Sequence, residues 1–403
     1  MSEPASNGRP LAGLRIIDIA TYIAAPYCAT LMAEFGAEVI KVEQPGIGDA
    51  LRGTPKDGKA SRSGNWLVEG RNKKSVTLNL RDPQGQQMAR DLIAKSDVLI
   101  ENFRPGAMEA WGLGPDALLA INPKLILLRI SGYGQTGPYR DKPGFGVVAE
   151  AMSGLRHLTA EPGRVPVRVG VSIGDTLASL HGVIGILLAL QERHTSGKGQ
   201  VIDVALYEAV FNCMESLLPE FSAFGAVREA AGSALPGIAP SNAYKCQDGG
   251  YVLIAGNGDS IFKRLMHTMG RDDLGLDAGL ADNAGRVKRV DEIDAAIGAW
   301  TAQKTVTQVL ELLDAASVPA GRIYTVADIA ADPHYQARDM VMPTKMADGS
   351  TLSLPGIVPK LSRTPGSHRR NAPEIGQDTD TVLQDIGLTP AQIKALKDKG
   401  IVQ

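Results

Sequence analysis

The sequence predicts an α/β protein with a Rossmann-like large domain built on a parallel sheet, followed by a smaller α/β domain. Short apolar segments typical of strands alternate with helix-like segments through the first half, and a stretch rich in Gly, Ala and Pro at 225–240 separates them from a second such group. The 403 residues are enough for two or three domains, each with its own core. Such β-α-β alternation favours parallel strands covered by helices, with ligands at the carboxyl ends of the strands.

The elements of the first half follow one another in a regular order. Apolar runs predict strands at 14–19, 37–42, 97–100, 125–131 and 201–204. Helical patterns predict helices at 24–35, 84–96, 115–121, 177–193 and 206–224. Gly36 follows the first helix at the position where a left-handed C-cap suits glycine.

The second half repeats the alternation on a smaller scale. A strand at 251–255, helices at 261–269, 290–302 and 306–316, and a return strand at 319–324 make up the predicted small domain. A last helix at 389–399 is expected to pack back on the large domain. The predicted division is therefore 1–225 for the large domain, 226–325 for the small domain and 326–403 for a C-terminal segment that returns to the large domain.

Composition narrows the class of function. Apolar residues make up 44% and charged residues 21%, and the formal net charge is -2, which gives no reason to expect a nucleic acid or an anionic membrane as partner. The longest apolar run, around 183–190, is interrupted by Gly185 and falls short of the ~18–20 residues of a membrane span. The first 13 residues lack the apolar core of a signal peptide. We expect a cytoplasmic enzyme.

Neither the cysteines nor the histidines predict a metal site. Cys28, Cys213 and Cys246 are too scattered for a disulfide framework or a metal cluster. The six histidines show no ligand spacing. We therefore expect no metal.

Residues 132–137 fit the G-x-G-x-x-G pattern and follow a predicted strand. A dinucleotide fingerprint must open a helix, whereas Pro138 and the turn-forming residues 140–144 come next. The pattern therefore does not predict nicotinamide binding, although its glycines permit close approach of the backbone to a ligand.

The most informative segment is Gly170-Val171-Ser172-Ile173-Gly174-Asp175-Thr176, which precedes the long helix. Asp175 is one of the residue types favoured as a helix N-cap, which is a purely structural role. The same position suits a carboxylate nucleophile, because the helix dipole and the free N–H groups keep the side chain ionised. Position alone does not decide between these two interpretations.

Several motifs occur in order along nearly the whole chain. They are 11–18 (LAGLRIID), 25–26 (AP), 35–43 (FGAEVIKVE), 71–75 (RNKKS), 101–106 (ENFRPG), 132–138 (GYGQTGP), 195–200 (TSGKGQ), 375–380 (IGQDTD) and 400–402 (GIV). In these motifs the sequence resembles the class III CoA-transferases, also called the CaiB/BaiF family, which include formyl-CoA and crotonobetainyl-CoA transferases.

The resemblance implies a reaction. Asp175 matches the family's nucleophile, which attacks an acyl-CoA and then carries CoA as an aspartyl thioester. Coenzyme A is then a substrate, with no permanently bound cofactor, and the substrates are an acyl-CoA and a free carboxylic acid. The segment at 234–240 is closer to the dicarboxylate-using members, which suggests succinyl-CoA as donor and a short dicarboxylic acid as acceptor.

The resemblance also implies a binding site and an assembly. The implied CoA-binding residues are Ile23, Ala24, Leu78, Asn79, Arg81, Asn102, Phe103, Arg104 and Lys142. Gly256, Asn257 and Gly258 match a glycine-rich loop of the small domain that covers the active site. The family fold is an intertwined homodimer, with the active site between the large domain and the small domain of the partner.

Two departures and two alternatives accompany this interpretation. Gln44 stands where formyl-CoA transferase has a phosphate-contacting Arg, and Gly146 stands where the family often has a carboxylate. An α-methylacyl-CoA racemase shares the fold, but its catalytic His would fall at Phe145, which cannot take a proton. A non-catalytic CoA-binding protein is the second alternative, and the retained Asp175 argues against it.

Overall fold

This computed structural model describes residues 8–53 and 63–403. A six-stranded parallel sheet lies in the first of its two compact units. Its strands are β1 (Arg15–Asp18), β2 (Glu38–Glu43), β3 (Lys73–Thr77), β4 (Val98–Glu101), β5 (Ile126–Ser131) and β6 (Val201–Ala205). Their order is β3-β2-β1-β4-β5-β6, and every neighbouring pair is parallel. Successive strands are therefore added on one side of β1 as far as β3 and on its other side from β4 onward. α/β proteins bind ligands at this reversal of strand order, which here lies between β1 and β4.

The sheet confirms the predicted α/β class and adds one strand that the sequence analysis missed. Strand β3 escaped notice because Lys73 and Ser75 interrupt its apolar pattern, yet both are buried. Lys73 donates to Asp18 Oδ2 at 2.9 Å, and Ser75 donates to Glu43 Oε2 at 2.6 Å. A buried ion pair and a buried hydrogen bond thus take the place of apolar packing in this strand.

The described residues form two compact units. The first takes in the described residues up to Leu155 together with Val169–Glu215 and Gln336–Gln403, and the second consists of Arg156–Arg168 and Ser216–Tyr335. The second unit is therefore wider than the small domain predicted at 226–325. Its early segment, Arg156–Arg168, gave no signal in the sequence because it contains little regular structure.

The helices of the described residues lie before, between and after these strands along the chain. They are α1 (Ala24–Glu34), α2 (Gly64–Glu69), α3 (Pro83–Ala94), α4 (Ala107–Ala110), α5 (Pro115–Ile121), α6 (Gly146–Met152), α7 (Leu155–Leu158), α8 (Ile173–Ser196), α9 (Leu206–Phe211), α10 (Leu217–Phe224), α11 (Asp259–Thr268), α12 (Asp272–Gly275), α13 (Asn283–Lys288), α14 (Val290–Thr301), α15 (Val306–Ala315), α16 (Val326–Ala331), α17 (Pro333–Ala337), α18 (Thr379–Asp385) and α19 (Pro390–Asp398).

One helix prediction was wrong. The single helix predicted at 206–224 is two helices, α9 and α10, because the backbone of Glu215 between them has φ 52°. That left-handed conformation cannot continue a right-handed helix.

Separate apolar clusters cover the two faces of the sheet. Helices α1 and α8 pack on one face, where the sheet contributes Ile16 from β1 and Leu128 from β5. On the other face, α3 and α5 are joined by the C-terminal helices α18 and α19, which contribute Val382 and Ile393. The C-terminal segment is thus part of the first unit.

The two other sheets are small. In the second unit β7 (Ser241–Lys245), β8 (Tyr251–Ala255) and β9 (Ala320–Arg322) form an antiparallel sheet in that order. Its core includes Phe262, Leu265 and Ile293. Strands β10 (Val341–Lys345) and β11 (Thr351–Pro355) form an antiparallel hairpin in the first unit.

Helix α8 is, by length and composition alone, apolar enough to cross a membrane, contrary to the sequence expectation. The interrupting glycine has a packing role instead. A Cβ at Gly182 would lie 2.9 Å from Leu128 Cδ2, and one at Gly185 would lie 2.9 Å from Ile202 Cγ2. These glycines let α8 lie directly on β5 and β6, which is the packing of a helix on a core.

Candidate active site

A cavity of about 300 Å³ opens in the first unit beyond the carboxyl ends of β1, β4 and β5. Its lining combines aromatic, basic and small residues with one aspartate. The lining residues are Thr21, Tyr22, Ala24, Asn102, Phe103, Arg104, Pro105, Ile130, Ser131, Gly132, Arg140, Lys142, Pro143, Gly144, Phe145, Asp175 and Leu206. The cavity therefore lies where the strand order reverses, as expected for a ligand site in this architecture.

Asp175 lies in the first turn of α8, but it is not the helix cap. The helix begins at Ile173 and its N-cap position is Ser172, so the structural interpretation of Asp175 as N-cap was wrong. At the third helical position its carboxylate still lies near the positive end of the helix dipole, which favours the charged form. Ser179, one turn on, is hydrogen-bonded to the carbonyl oxygens of Asp175 and Ala24, which joins α8 to the start of α1.

The carboxylate of Asp175 lies directly against the backbone of Gly146. A Cβ built at Gly146 would fall 2.6 Å from Asp175 Oδ2 and 2.9 Å from its Cγ. Glycine at this position therefore makes room for the carboxylate. Because residue 146 is the glycine noted as a departure in the sequence, no Cβ occupies the space next to the Asp175 carboxylate.

The cavity that contains Asp175 is also lined by positive charge. Arg104, Arg140 and Lys142 line the cavity, and Asp175 is the one carboxylate among the lining residues in the part of the chain that the structure describes. Lys142 Nζ lies 3.6 Å from the centroid of the Tyr139 ring, and Arg140 pairs with the exposed Asp141 at 3.3 Å. An arrangement of three cations and one carboxylate suits a polyanionic ligand.

The turn after β4 is held by a buried ion network. Glu101 accepts a hydrogen bond from the backbone N–H of Phe103 at 2.7 Å and from Arg129 Nε at 2.7 Å. Arg129 also reaches Glu109. Burial raises the pKa of Glu101, and the Arg129 guanidinium opposes that shift. The network fixes Phe103, whose ring packs edge-on against Trp111.

The Gly-rich loop at 132–137 packs against its own continuation. A Cβ at Gly132 would lie 2.9 Å from the Cα of Gly144. Turns follow the loop, and the next helix begins at Gly146. These glycines therefore serve a close backbone contact at the cavity wall rather than the start of a dinucleotide-binding helix.

The structure brings together six of the ten site residues that the sequence analysis named in the first unit. Ala24, Asn102, Phe103, Arg104 and Lys142 line the cavity with Asp175. The remaining first-unit residues stand outside that lining. Ile23 is the half-buried N-cap of α1, Leu78 is buried in the core, Asn79 is half-buried, and Arg81 is exposed.

The glycine-rich loop of the second unit links β8 to α11. Gly258 is the N-cap of α11, and Asp259, its first residue, pairs with Arg286 at 2.7 Å. The fully buried Arg286 also donates to the carbonyl oxygen of Asn257 at 2.7 Å. The loop is thus anchored from beneath by one arginine.

Sequence reasoning missed Tyr22, Arg140 and the buried charges beneath the cavity. Asp18 and Lys41 lie in β1 and β2 beside apolar residues, and both are buried. A charge inside a buried strand needs a partner, which is the signal that could have drawn attention to them. Among the described residues no group of His, Cys, Asp or Glu side chains is placed to hold a metal ion.

Comparison with known proteins identifies the family. The model of CoA-transferase family III matches residues 11–379. The chain belongs to this family. It is a CoA-transferase, which confirms the predicted enzyme class.

Relatives within the family resemble the chain over nearly its full length. It is 44% identical to succinyl-CoA–D-citramalate CoA-transferase of Chloroflexus aurantiacus, with 98% of each chain covered. It is 45% identical to the beta subunit of succinyl-CoA–L-malate CoA-transferase of the same organism, again with 98% of each covered. A solved CaiB/BaiF family protein from Brucella suis matches with a TM-score of 0.82 at 33% identity, covering 94% of this chain and 99% of that one.

Proposed function

We propose that this CoA-transferase moves CoA from succinyl-CoA to a short dicarboxylic acid through a covalent aspartyl-CoA thioester on Asp175. The observation that carries the proposal is the position of Asp175, a carboxylate in the first turn of α8, inside a cavity whose other charged lining residues are Arg104, Arg140 and Lys142. A carboxylate nucleophile in a cavity lined by cations suits an anionic thioester substrate.

The reaction conserves the free energy of the thioester bond through two mixed-anhydride intermediates. An Asp175 oxygen attacks the succinyl carbonyl of succinyl-CoA. The C–S bond then breaks, which gives a mixed anhydride of Asp175 and succinate together with CoA thiolate. The thiolate attacks the aspartyl carbonyl, which releases succinate and leaves CoA on Asp175. The acceptor carboxylate then attacks this thioester, and the released thiolate attacks the acceptor carbonyl of the second anhydride. The products are a new acyl-CoA and free Asp175, with no net transfer of protons.

Retention of the CoA thiolate between these steps requires that CoA stays bound. Arg104, Arg140 and Lys142 supply positive charge for its phosphates, and Arg in particular offers a planar donor fork for phosphate oxygens. Phe103 adds an apolar surface that Glu101 and Trp111 hold in place. Binding of this kind converts the return attack of the thiolate into an intramolecular step.

The choice of substrates rests on the relatives. The relatives at 44% and 45% identity are named for transfer from succinyl-CoA to D-citramalate and to L-malate, and a human relative at 31% identity is named for transfer to glutarate. All three acceptors are short dicarboxylic acids. We assign the same class of acceptor to this enzyme.

A homodimer is part of the proposal. Helix α8 leaves an apolar stripe exposed, formed by Leu180, Ile184, Leu187 and Leu188 with 43%, 53%, 44% and 66% of their surfaces accessible. A continuous stripe of this kind on one helix face is typical of a surface that a partner covers. Sedimentation should give twice the chain mass for the wild type, and Leu188→Glu should shift it toward the monomer. A monomeric wild type would refute this part of the proposal.

Chemical trapping tests the covalent intermediate. Enzyme incubated with succinyl-CoA and no acceptor should hold part of its Asp175 as the CoA thioester, which borohydride reduces to an alcohol. Peptide mapping should then show a loss of about 14 Da on the peptide that contains Asp175, as expected when an acylated carboxylate is reduced. Enzyme without donor, and Asp175→Asn with donor, are the matched controls. Robust turnover with no donor-dependent change at Asp175 would rule out this route.

A further inference from the structure

Tyr22 stands in the cavity wall in a strained backbone conformation. Its φ is +63°, in the left-handed region, and its side chain is 52% exposed. Its ring lies 6.4 Å from that of Phe145, edge to face, and both rings line the cavity that contains Asp175. A non-glycine residue holds such a conformation only where its surroundings fix it, and such residues cluster at functional sites.

Side chains from other elements fix the backbone of Thr21 and Tyr22. The preceding residue, Thr21, is held at both ends by one side chain, because its N–H donates to Asn102 Oδ1 at 2.9 Å and its carbonyl accepts from Asn102 Nδ2 at 2.7 Å. Both atoms of the side-chain amide of Asn102, a residue named from the sequence as CoA-binding, are thus hydrogen-bonded to the backbone of this loop. The N–H of Tyr22 itself donates to Asp49 Oδ1 at 3.3 Å.

Asp49 belongs to a buried ion pair below the cavity. Its Oδ2 lies 3.0 Å from Lys41 Nζ, and both side chains are 1% exposed. Lys41 also donates to the carbonyl oxygen of Ala20, so the two partners hold the loop on both sides of Thr21. Burial alone would raise the pKa of Asp49, but Lys41 and the N–H donors of Leu51 and Tyr22 lower it below its ordinary value.

Asp49 is fixed independently of the loop that it holds. Its own N–H donates to Glu43 Oε1 at 2.8 Å, and Arg52 binds both oxygens of Glu43 at 2.7 Å. The Arg52 guanidinium lies 3.9 Å from the centroid of the Trp66 ring. A carboxylate anchored in this way can impose a conformation on its neighbour, since it has little freedom to follow the neighbour instead.

We propose that Asp49, which does not line the cavity, is a positioning residue that acts through Tyr22. With Lys41 it holds the backbone of Tyr22 in the left-handed conformation, and this places the Tyr22 ring opposite Phe145 as an aromatic wall beside Asp175. The wall shields the succinyl end of the donor from water while the anhydride forms. This role rests on the proposed transfer through Asp175.

The test replaces Asp49 and compares the result with a buried carboxylate elsewhere. Asp49→Asn keeps the size but presents an amide to Lys41, and Asp49→Glu keeps the charge but moves the acceptor by one methylene. The matched control is Glu34→Gln. Glu34 is equally buried and accepts a hydrogen bond from Arg71 Nε at 2.7 Å, and neither residue lines the cavity. Asp49→Glu serves if Asp49→Asn does not fold.

Kinetics with succinyl-CoA and glutarate should separate the variants. We expect kcat/KM for the donor to fall about tenfold or more in both Asp49 variants and less than twofold in Glu34→Gln. In a Tyr22→Ala background, Asp49→Asn should change kcat/KM less than twofold, because its route of action is gone. An equal loss with and without Tyr22, or wild-type kinetics in folded Asp49→Asn, would overturn the proposal.

A second readout does not depend on catalysis. Hydrogen exchange followed by mass spectrometry should show the amide of Tyr22 protected in the wild type and faster in Asp49→Asn, with no change in Glu34→Gln. Unchanged exchange at Tyr22 would refute the positioning role. If the wild type fails to transfer CoA while exchange behaves as expected, the proposed function is wrong and the structural link between Asp49 and Tyr22 stands.

Discussion

Gly146→Ala tests the position of Asp175, the proposed nucleophile, without changing any reactive group. The added Cβ would stand 2.6 Å from Asp175 Oδ2, whereas ordinary contact begins near 3.4 Å, so the carboxylate must retreat by about 0.8 Å. A displacement of about 1 Å at a reacting group can cost about 100-fold in rate. That factor corresponds to about 2.7 kcal/mol of lost transition-state stabilisation.

The stability of this variant should hardly change. Gly146 is the first residue of α6, and its φ is not in the left-handed region, so alanine is compatible with the backbone. Alanine at such a site gains about 0.4–1 kcal/mol through the unfolded state, which offsets part of the new contact. We therefore expect a melting temperature within a few degrees of the wild type, together with a large loss of activity.

The assay follows formation of the new acyl-CoA from succinyl-CoA and glutarate, with thermal unfolding of the same preparations. Gly298→Ala in α14 is the control, because a Cβ there meets nothing within 4 Å and its φ is also compatible. We expect kcat/KM to fall about 100-fold in Gly146→Ala and to stay unchanged in the control. Equal activities would show that the carboxylate does not react from the place where the structure puts it.

Three further outcomes are expected. Asp175→Asn should lose at least about 10⁴-fold in kcat. The helix dipole stabilises a charge at this position by only about 0.3–1 kcal/mol, so the melting temperature of Asp175→Asn should fall by a few degrees at most. Full activity of this variant, with deamidation excluded by mass spectrometry, would contradict the role of Asp175. Arg104→Ala should raise KM for succinyl-CoA about tenfold, and the effect should shrink at high salt. Burial, with Asp18 and Asp49 adding to it, raises the pKa of Glu69 from 4.5 to about 8. The unfolded state therefore releases this proton first, and stability falls as pH rises from 4.5 toward 8. Glu69→Gln lacks that loss, so its melting temperature relative to the wild type should be higher at about pH 9 than at about pH 5, and a constant difference would refute the shift.

Much of the fold could be predicted because most helices and strands have a recognisable pattern within their own segment of the sequence. Apolar runs and helical periodicity found five of the six parallel strands, and Pro115–Ile121 was predicted to the residue. Strand β3 was missed because Lys73 is neutralised by Asp18, 55 positions away in the chain. The break between α9 and α10 was missed because a glutamate, Glu215, adopts the left-handed conformation that sequence patterns assign to glycine.

The site could be predicted only as a set of names. Asp175, Arg104 and Phe103 were identified through a family resemblance, and the structure shows that they share one cavity. Asn102 was named as a CoA-binding residue, and it lines this cavity, but its side-chain amide also holds Thr21. Motif matching finds which residues matter, but it does not tell which of them face the ligand and which hold the backbone of a neighbour.

The sequence by itself determined the alternation of elements and the family, and it named Asp175 as the proposed nucleophile, because these depend on local pattern and on motifs within short windows. Tertiary structure alone decided that Gly146 makes room for Asp175 and that Asp49 holds Tyr22. Both contacts join residues 27 or more positions apart, on separate elements. Their existence depends on how close two backbones approach and on where a buried charge finds its partner, and neither distance is encoded in any one segment of the chain.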